Sequence, residues 1–249
     1  MTTSIPVLTF HAIEEHTSVI SVSPQVFSHG IGRLHQHGYQ TVSLLKAVDI
    51  IRRGKSFAER SIVITFDDGY QSVYNNALPV LLRHGMSATV FLTVGMNKDT
   101  DLGGRLPPLG DRTMLSWDEI HEMHDSGITF GAHTMTHQDL TRLTNRQLEN
   151  EIYSSKVIIE DALGIPVLCF AYPYGRHDSR SRAFVQKHFA CACSDRLGLI
   201  DAGSDLFAMD RVDAYYLRTE RLFGIMLSRF FPEYIWARSL LRRVRRVLR

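Results

Sequence analysis

The chain alternates short apolar runs with longer segments of helical periodicity. Six runs are rich in β-branched or aromatic residues and mostly lack the alternation of half-exposed strands, which is typical of strands buried on both faces. They cover residues 6–10, 61–66, 89–92, 128–131, 167–171 and 189–193. The helical segments between them, such as 71–84 and 145–163, are long enough to connect parallel strands. The pattern predicts an α/β fold and leaves open whether the sheet is doubly wound or closed into a barrel.

Turn and capping residues mark the ends of several predicted helices. A glycine that can adopt a left-handed conformation follows four of the helical segments and leads into the next strand. These glycines are Gly38, Gly85, Gly127 and Gly164. Ser116 and Glu119 have the spacing of a capping box and predict another helix start. Residues 97–114 contain two prolines and three glycines and predict a long loop.

Composition narrows the class of protein. The 249 residues are 44% hydrophobic and 22% charged, which is enough apolar material for one large domain or two small ones and excludes a disordered chain. Cys169, Cys191 and Cys193 are too few for a disulfide scaffold, so we expect packed thiols in a reducing compartment. No Lys or Arg precedes Arg33, and no run of about 18 apolar residues occurs. We therefore expect a cytoplasmic chain without a spanning helix.

Charge is distributed unevenly. Residues 221–249 contain eight Arg and one Glu, whereas the rest of the chain is mildly acidic. After Pro232 the apolar residues recur with a helical period and share one arc, outside which the arginines lie. The arc comprises Trp236, Ala237, Leu240, Leu241, Val244, Val247 and Leu248. Such a helix can lie on an anionic membrane surface, which here would be the inner face of the cytoplasmic membrane. Alternatively, it can dock on the domain with its arginines in water. Nucleic-acid binding is disfavoured because the body is acidic and carries no nucleic-acid motif.

Two groups of polar residues follow predicted strands and are candidates for chemistry. Asp67 and Asp68 come directly after residues 61–66, and His133 and His137 follow residues 128–131. Alone, the aspartates could be a helix cap and a turn residue, and the histidines could be ordinary surface residues. Together, two imidazoles four residues apart and one carboxylate can bind a metal ion and leave coordination positions open.

Two further polar segments follow strands. His11 comes after residues 6–10, and Tyr172-Pro173-Tyr174-Gly175 comes after residues 167–171. Active sites of parallel α/β folds lie at the carboxyl ends of the strands. We therefore expect all four groups to meet at one rim of the sheet.

The same residues carry a family resemblance. Residues 65–70 and 133–137 resemble the first two motifs of the polysaccharide deacetylases, the NodB homology domain of carbohydrate esterase family 4, and Tyr172-Pro173-Tyr174-Gly175 resembles the third. The resemblance covers about residues 5–215. It implies a distorted (β/α) barrel, with a deacetylase domain over residues 1–215 and a helical basic tail over 216–249. Within the family the chain is most similar to the circularly permuted deacetylases of poly-N-acetylglucosamine exopolysaccharides of biofilm or holdfast type.

The resemblance also implies roles for individual residues. Asp68, His133 and His137 would be metal ligands and Asp67 the general base. The ion would be divalent, with zinc expected and Co²⁺, Ni²⁺ or Fe²⁺ as alternatives; it would lower the pKa of a bound water and polarise the acetamide carbonyl. The backbone N–H of Tyr174 would stabilise the oxyanion. For the substrate, Tyr172 is a candidate contact and Trp117 a candidate sugar-stacking ring, although a core or packing role is the favoured interpretation of Trp117.

The chain departs from the family pattern at two points. The Leu-x-His motif that usually supplies the general acid is absent after Arg182, and His11, in Leu8-Thr9-Phe10-His11, matches the histidine that replaces it in permuted members. Phe170 stands where most members have the arginine that orients the base. Arg211 is a candidate substitute.

The resemblance predicts a metal-dependent hydrolase that removes acetyl groups from N-acetylglucosamine units of a bacterial exopolysaccharide or its lipid-linked precursor. One alternative is deformylation or deacetylation of a lipid-linked monosaccharide. Another is an inactive carbohydrate-binding module, against which the intact Asp and His motifs argue.

Overall fold

The computed structural model describes residues 4–16, 18–95 and 104–247, with side chains up to residue 244. Ten strands occur in this part of the chain, all paired in parallel. They are β1 (Val7–Phe10), β2 (Ala12–Ile13), β3 (Ser21–Val22), β4 (Gln40–Thr41), β5 (Ser61–Phe66), β6 (Thr89–Leu92), β7 (Thr129–Ala132), β8 (Cys169–Ala171), β9 (Cys191–Leu197) and β10 (Met209–Asp213).

Helices connect most of the neighbouring barrel strands, whereas residues 198–208 join β9 to β10 without a helix. In chain order the helices are α1 (Pro24–Gln36), α2 (Leu44–Arg52), α3 (Leu78–Arg83), α4 (Trp117–Asp125), α5 (Asn145–Glu149), α6 (Ser155–Leu163), α7 (Ser179–His188), α8 (Glu220–Gly224) and α9 (Phe231–Val247). A π-helical turn, Val73–Ala77, precedes α3, and another, Asn150–Ser154, joins α5 to α6.

Seven strands close into a barrel. Their order is β1-β10-β9-β8-β7-β6-β5, and β5 pairs back onto β1 with Val7 opposite Val63. The short β4 pairs in parallel with the first two residues of β5, while β2 and β3 form a separate two-stranded sheet. The closed arrangement decides between the two architectures that the hydrophobic pattern left open, and the expected distorted barrel is confirmed.

Most predicted elements are present with small shifts at their ends. The strands over 61–66 and 89–92 have the predicted bounds, whereas β9 begins and ends later than predicted. The capping box of Ser116 and Glu119 is formed at the start of α4. All four glycines predicted to end helices have positive φ. The predicted helices over 71–84 and 145–163 each contain a π-helical turn, and β10 was not predicted.

The barrel interior is packed by small and apolar side chains beneath the rim. Cys169, Cys191 and Cys193 are buried and free, as expected for packed thiols. They share a hydrophobic cluster with Val7 of β1 and Val48 of α2. Leu44 and Val48 of α2 pack in this cluster, and Arg52 at the end of α2 donates to the carbonyl of Ala190 directly before β9, so α2 covers the amino ends of the strands.

The C-terminal helix α9 packs on the barrel through one side. Phe231, Ile235 and Ser239 are buried, and they recur every four residues as one helical face requires. The predicted apolar arc lies on the other side: Trp236, Leu240 and Val244 are exposed, Trp236 by 65%. Leu248 lies outside the described residues. No helix in residues 4–16, 18–95 and 104–247 is both long and apolar enough to cross a bilayer.

Candidate metal and active site

The polar groups that follow the strands meet in one cavity of about 370 Å³ at the carboxyl ends of the barrel. Six barrel strands supply its walls, since side chains on or just after β1, β5, β7, β8, β9 and β10 line it. The lining includes His11, Asp67, Asp68, His133, His137, Tyr172, Tyr174 and Arg211. The expected convergence of four sequence segments is therefore present.

Three side chains form a group with the geometry of a metal site. One ligand atom from each of Asp68, His133 and His137 lies within 4.8 Å of the others. Asp68 Oδ1 lies 3.6 Å from His133 Nε2 and 3.4 Å from His137 Nε2. This Oδ1 is buried and has no hydrogen-bond partner among the described residues, so a cation would satisfy it.

The two histidines present the nitrogens that a cation needs. His133 Nδ1 lies 2.7 Å from the carbonyl oxygen of Ala171, so an N–H there donates to the carbonyl and leaves Nε2 unprotonated. The pKa of His137 is lowered to about 4, mainly by burial and to a smaller extent by the nearby His133. His137 is therefore suited to the neutral, ligating form at neutral pH, and the His133 tautomer that donates to Ala171 directs Nε2 towards a cation.

Unusual backbone conformations concentrate at this site. Positive φ occurs at Asp68 (75°), Thr134 (72°), His137 (56°) and Tyr174 (56°), and the described residues include only one other non-glycine example, Arg60. Non-glycine residues adopt this region at a cost of about 1–3 kcal/mol each and do so chiefly at functional sites. The hydroxyl of Thr134 accepts a hydrogen bond from the N–H of His137 at 3.0 Å and supports the turn between the histidines.

A buried carboxylate that sequence reasoning missed holds the same turn. Glu151, in the π-helical turn between α5 and α6, accepts hydrogen bonds from the backbone N–H groups of Met135 (3.0 Å) and Thr136 (2.9 Å). The hydroxyl of Thr136 donates to its other oxygen at 2.5 Å. A glutamate in a helical segment is normally interpreted as a surface residue. The only sequence signal for its role was the polar turn about sixteen residues earlier, whose backbone N–H groups need acceptors.

The second aspartate is held by an arginine. Arg211 donates to Asp67 Oδ1 at 2.8 Å and to Oδ2 at 2.7 Å, and its Nε donates to the carbonyl of Ser194 at 2.8 Å. Both side chains are almost fully buried. Burial alone would raise the pKa of Asp67, but the charge and hydrogen bonds of Arg211 lower it well below the ordinary range. The contact expected of Arg211 is confirmed, while Phe170, at the family's arginine position, is a buried core residue.

The other predicted site residues have different surroundings. His11 Nε2 lies 4.0 Å from Asp67 Oδ2. The ring of Tyr174 is exposed and packs edge-on against His137, with centroids 4.7 Å apart. Tyr172 is buried, and its hydroxyl has no hydrogen-bond partner among the described residues. Trp117, at the start of α4, packs against the hydrophobic core and is not among the residues that line the cavity.

Comparisons with known proteins agree with this geometry. YxkH of Bacillus subtilis, which is named as a polysaccharide deacetylase, is 28% identical to this chain over 209 residues. The match covers 84% of this chain and 70% of YxkH. The poly-β-1,6-N-acetyl-D-glucosamine N-deacetylase of Escherichia coli is 30% identical over 51% of this chain, which corresponds to only 20% of its own length. A polysaccharide deacetylase structure from Bacillus cereus superposes with a TM-score of 0.75 at 28% identity, covering 91% of this chain and 69% of the other.

The family assignment rests on the sequence model as well as on these relatives. The model described as polysaccharide deacetylase matches residues 54–189, more than half of the chain, and this range includes Asp67, Asp68, His133, His137 and Tyr174. The chain is therefore a member of the polysaccharide deacetylase family.

Proposed function

We propose that the protein is a metal-dependent N-deacetylase that hydrolyses acetamide groups of N-acetylglucosamine units in a bacterial exopolysaccharide or its lipid-linked precursor. The observation that carries the proposal is the buried, unpartnered Asp68 Oδ1 between two imidazoles, beside a second carboxylate and at the bottom of an open cavity. The names of relatives such as the E. coli poly-β-1,6-N-acetyl-D-glucosamine N-deacetylase support the choice of N-acetylglucosamine.

Asp68, His133 and His137 would hold the cation. One carboxylate oxygen and two imidazole nitrogens are ligands that Zn²⁺ accepts, and a site with three protein ligands leaves a position for water or substrate. When bound, the ion supplies a Lewis acid that polarises a carbonyl and lowers the pKa of water. His133 is kept in the ligating tautomer by the carbonyl of Ala171.

The remaining residues would move protons and orient groups. Asp67, held by Arg211 in one orientation, accepts the proton of the water that attacks the acetamide carbon. The backbone N–H of Tyr174 donates to the oxygen on which charge develops. His11, which lies 4.0 Å from Asp67, donates a proton to the departing nitrogen as the C–N bond breaks. The products are acetate and the free amine of glucosamine.

The assay is acetate release from N-acetylglucosamine oligomers by metal-stripped and metal-restored protein. We expect release only after a divalent cation is restored. Asp67→Asn and His11→Ala should lower kcat at least about a hundredfold, because acid or base catalysis is worth about 10²–10⁴ in rate, and both variants should still bind metal. His121→Ala, an exposed histidine on α4, is the matched control and should be fully active. No release with any metal or oligomer would contradict the proposal and favour a carbohydrate-binding module.

We also propose that α9 attaches the protein to an anionic membrane surface. Trp236, Leu240 and Val244 form an exposed apolar row, and arginines such as Arg238 and Arg243 lie outside it on the same helix. Apolar side chains can enter the interface while guanidinium groups contact anionic headgroups. This charge pattern suits an anionic lipid surface better than a second protein chain.

The test compares sedimentation with liposomes that contain or lack anionic lipid. The wild-type chain should sediment only with anionic liposomes, and Trp236→Ser with Leu240→Ser should reduce this binding at least tenfold. Leu82→Ser with Val19→Ser replaces exposed apolar residues outside α9 and is the control. Equal sedimentation of the wild type and the α9 variant would contradict membrane attachment through this helix.

A further inference from the structure

A second cavity of about 350 Å³ lies next to the active site. It is lined almost entirely by polar side chains from the loop after β2, the segment that follows Asp68 and Gly69, and residues 111–113. Tyr70 lines both this cavity and the first. The two cavities are therefore neighbours that share one residue as a wall.

Tyr70 connects the two cavities physically. It is buried and lies two residues after Asp68, beside which it lines the first cavity. On the other side, the guanidinium carbon of Arg112 lies 5.6 Å from the centre of the Tyr70 ring. A ligand in the second cavity would therefore lie one side chain away from a proposed metal ligand.

The backbone around this wall is tied down. Tyr70 forms an antiparallel bridge with Met114, and the N–H of Gln71 donates to the carbonyl of Thr113 at 3.0 Å. Arg112 donates to Glu14 Oε1 at 2.7 Å and to the hydroxyl of Ser21 at 3.3 Å. The cavity is thus formed before any ligand arrives, which reduces the entropic cost of binding.

The charges of the lining indicate what the cavity can bind. Glu14 and Asp111 lie at 2.7 Å and 3.9 Å from nitrogens of Arg112, so two carboxylates face one guanidinium. The imidazole Nδ1 of His16 lies 3.4 Å from the same guanidinium. Amide and hydroxyl groups of Gln71, Asn75 and Ser72 add neutral donors and acceptors. Such a lining suits a ligand rich in hydroxyl groups and repels a carboxylate.

We propose that the second cavity binds the sugar unit adjoining the one that is deacetylated, and that this adjoining unit carries no carboxylate. The inference rests on the proposed function, and it narrows the substrate to a neutral polysaccharide. A monosaccharide would leave the second cavity empty, and a glycan with a carboxylate on the adjoining sugar would place that charge beside Glu14 and Asp111.

The experiment measures kcat/KM for N-acetylglucosamine oligomers of one to five units with the metal-restored wild type, Asn75→Ala and Asn145→Ala. Asn75 lines the second cavity, whereas Asn145 is an exposed asparagine at the start of α5 that lines neither. For the wild type we expect kcat/KM to rise at least about tenfold from the monomer to longer oligomers. Asn75→Ala should lower kcat/KM about fivefold on longer oligomers, mainly through KM, as expected for one lost hydrogen bond. The monomer and Asn145→Ala should be unaffected.

Two results would overturn the proposal. One is a wild-type kcat/KM that does not depend on oligomer length, and the other is an equal loss on monomer and pentamer in Asn75→Ala. An oligomer whose adjoining unit carries a lactyl carboxylate should react at least about tenfold more slowly than the neutral one, and equal rates would contradict the charge argument.

A calorimetric titration separates this inference from the proposed function. If no oligomer releases acetate, the deacetylase proposal fails, and the dissociation constant of the pentamer still decides the role of the cavity. Weaker pentamer binding by Asn75→Ala than by Asn145→Ala would support the second cavity as a sugar site. Equal binding would refute it.

Discussion

Replacing Arg211 with methionine tests whether the buried ion pair with Asp67 organises the site. The substitution keeps much of the side-chain volume but leaves the Asp67 carboxylate, 3% exposed, without its bidentate partner. Removing one partner of a buried ion pair costs about 3–5 kcal/mol. For a domain of this size, each kcal/mol lowers Tm by about 2–4 °C. We therefore expect Tm to fall by about 6–20 °C at neutral pH.

A surface pair of the same geometry provides the control. Arg182 donates to both oxygens of Asp205 at 2.8 Å and 2.7 Å, but both side chains are accessible to water. Exposed ion pairs contribute about 0–1 kcal/mol, so Arg182→Met should lower Tm by a few degrees at most. Scanning calorimetry of the metal-free proteins measures both changes. A loss in Arg211→Met no larger than in Arg182→Met would refute the reasoning.

Two further measurements distinguish an uncompensated charge from a packing defect. Asp67→Asn combined with Arg211→Met removes both charges, so the double variant should be more stable than Arg211→Met alone. In the wild type the pKa of Asp67 is lowered, so its ionised form adds to the free energy of unfolding at pH values above the ordinary aspartate pKa. This contribution is lost on acidification. In Arg211→Met, burial raises the pKa of Asp67, so acidification relieves the buried charge. The stability difference between wild type and variant should therefore narrow as pH falls.

Three other predictions concern the same rim. Glu151→Gln should weaken zinc binding about 10–100-fold in a calorimetric titration, because an amide cannot accept from all three donors on the histidine turn. Gly175→Ala should unfold at lower denaturant concentration, since φ is 64° and an added Cβ would lie 2.2 Å from the backbone nitrogen of Asp195. The metal-free protein should lose stability as pH falls from about 6.5 to about 4, because the pKa of His137 is lowered to about 4 and the unfolded chain binds its proton first. His137→Gln should flatten that part of the denaturation profile.

The site was predictable from the sequence because the side chains that form it directly follow predicted strands. The strand Ser61–Phe66 is continuously apolar, and a pair of aspartates at its end is conspicuous. Strand Met209–Asp213 was missed because it carries two aspartates and an arginine, which resemble a polar turn more than a buried strand. Its Arg211 is buried only because Asp67 compensates its charge across the barrel. The sequence around a buried charge does not show whether a distant residue of opposite charge will compensate it.

Backbone conformation was the part of the site that the sequence did not reveal. Asp68, Thr134, His137 and Tyr174 adopt positive φ although none is glycine. These conformations depend on tertiary contacts, such as the hydrogen bonds that Glu151 accepts from the turn between the histidines. Local propensity predicts ordinary turns at these positions, so the strain becomes visible only when the surrounding side chains are in place.

Helix α9 joins the two proposed properties of the protein. On its packed side, Arg242 donates to the carbonyl oxygen of Asp195 at 2.7 Å and to its carboxylate at 2.6 Å, and both residues line the active-site cavity. On its outer side lies the apolar row that begins at Trp236. Deleting the helix would therefore remove part of the cavity wall together with the proposed membrane contact. Because the two sides use different residues, substitutions at Trp236 and Leu240 can separate attachment from catalysis, whereas a truncation before Phe231 cannot.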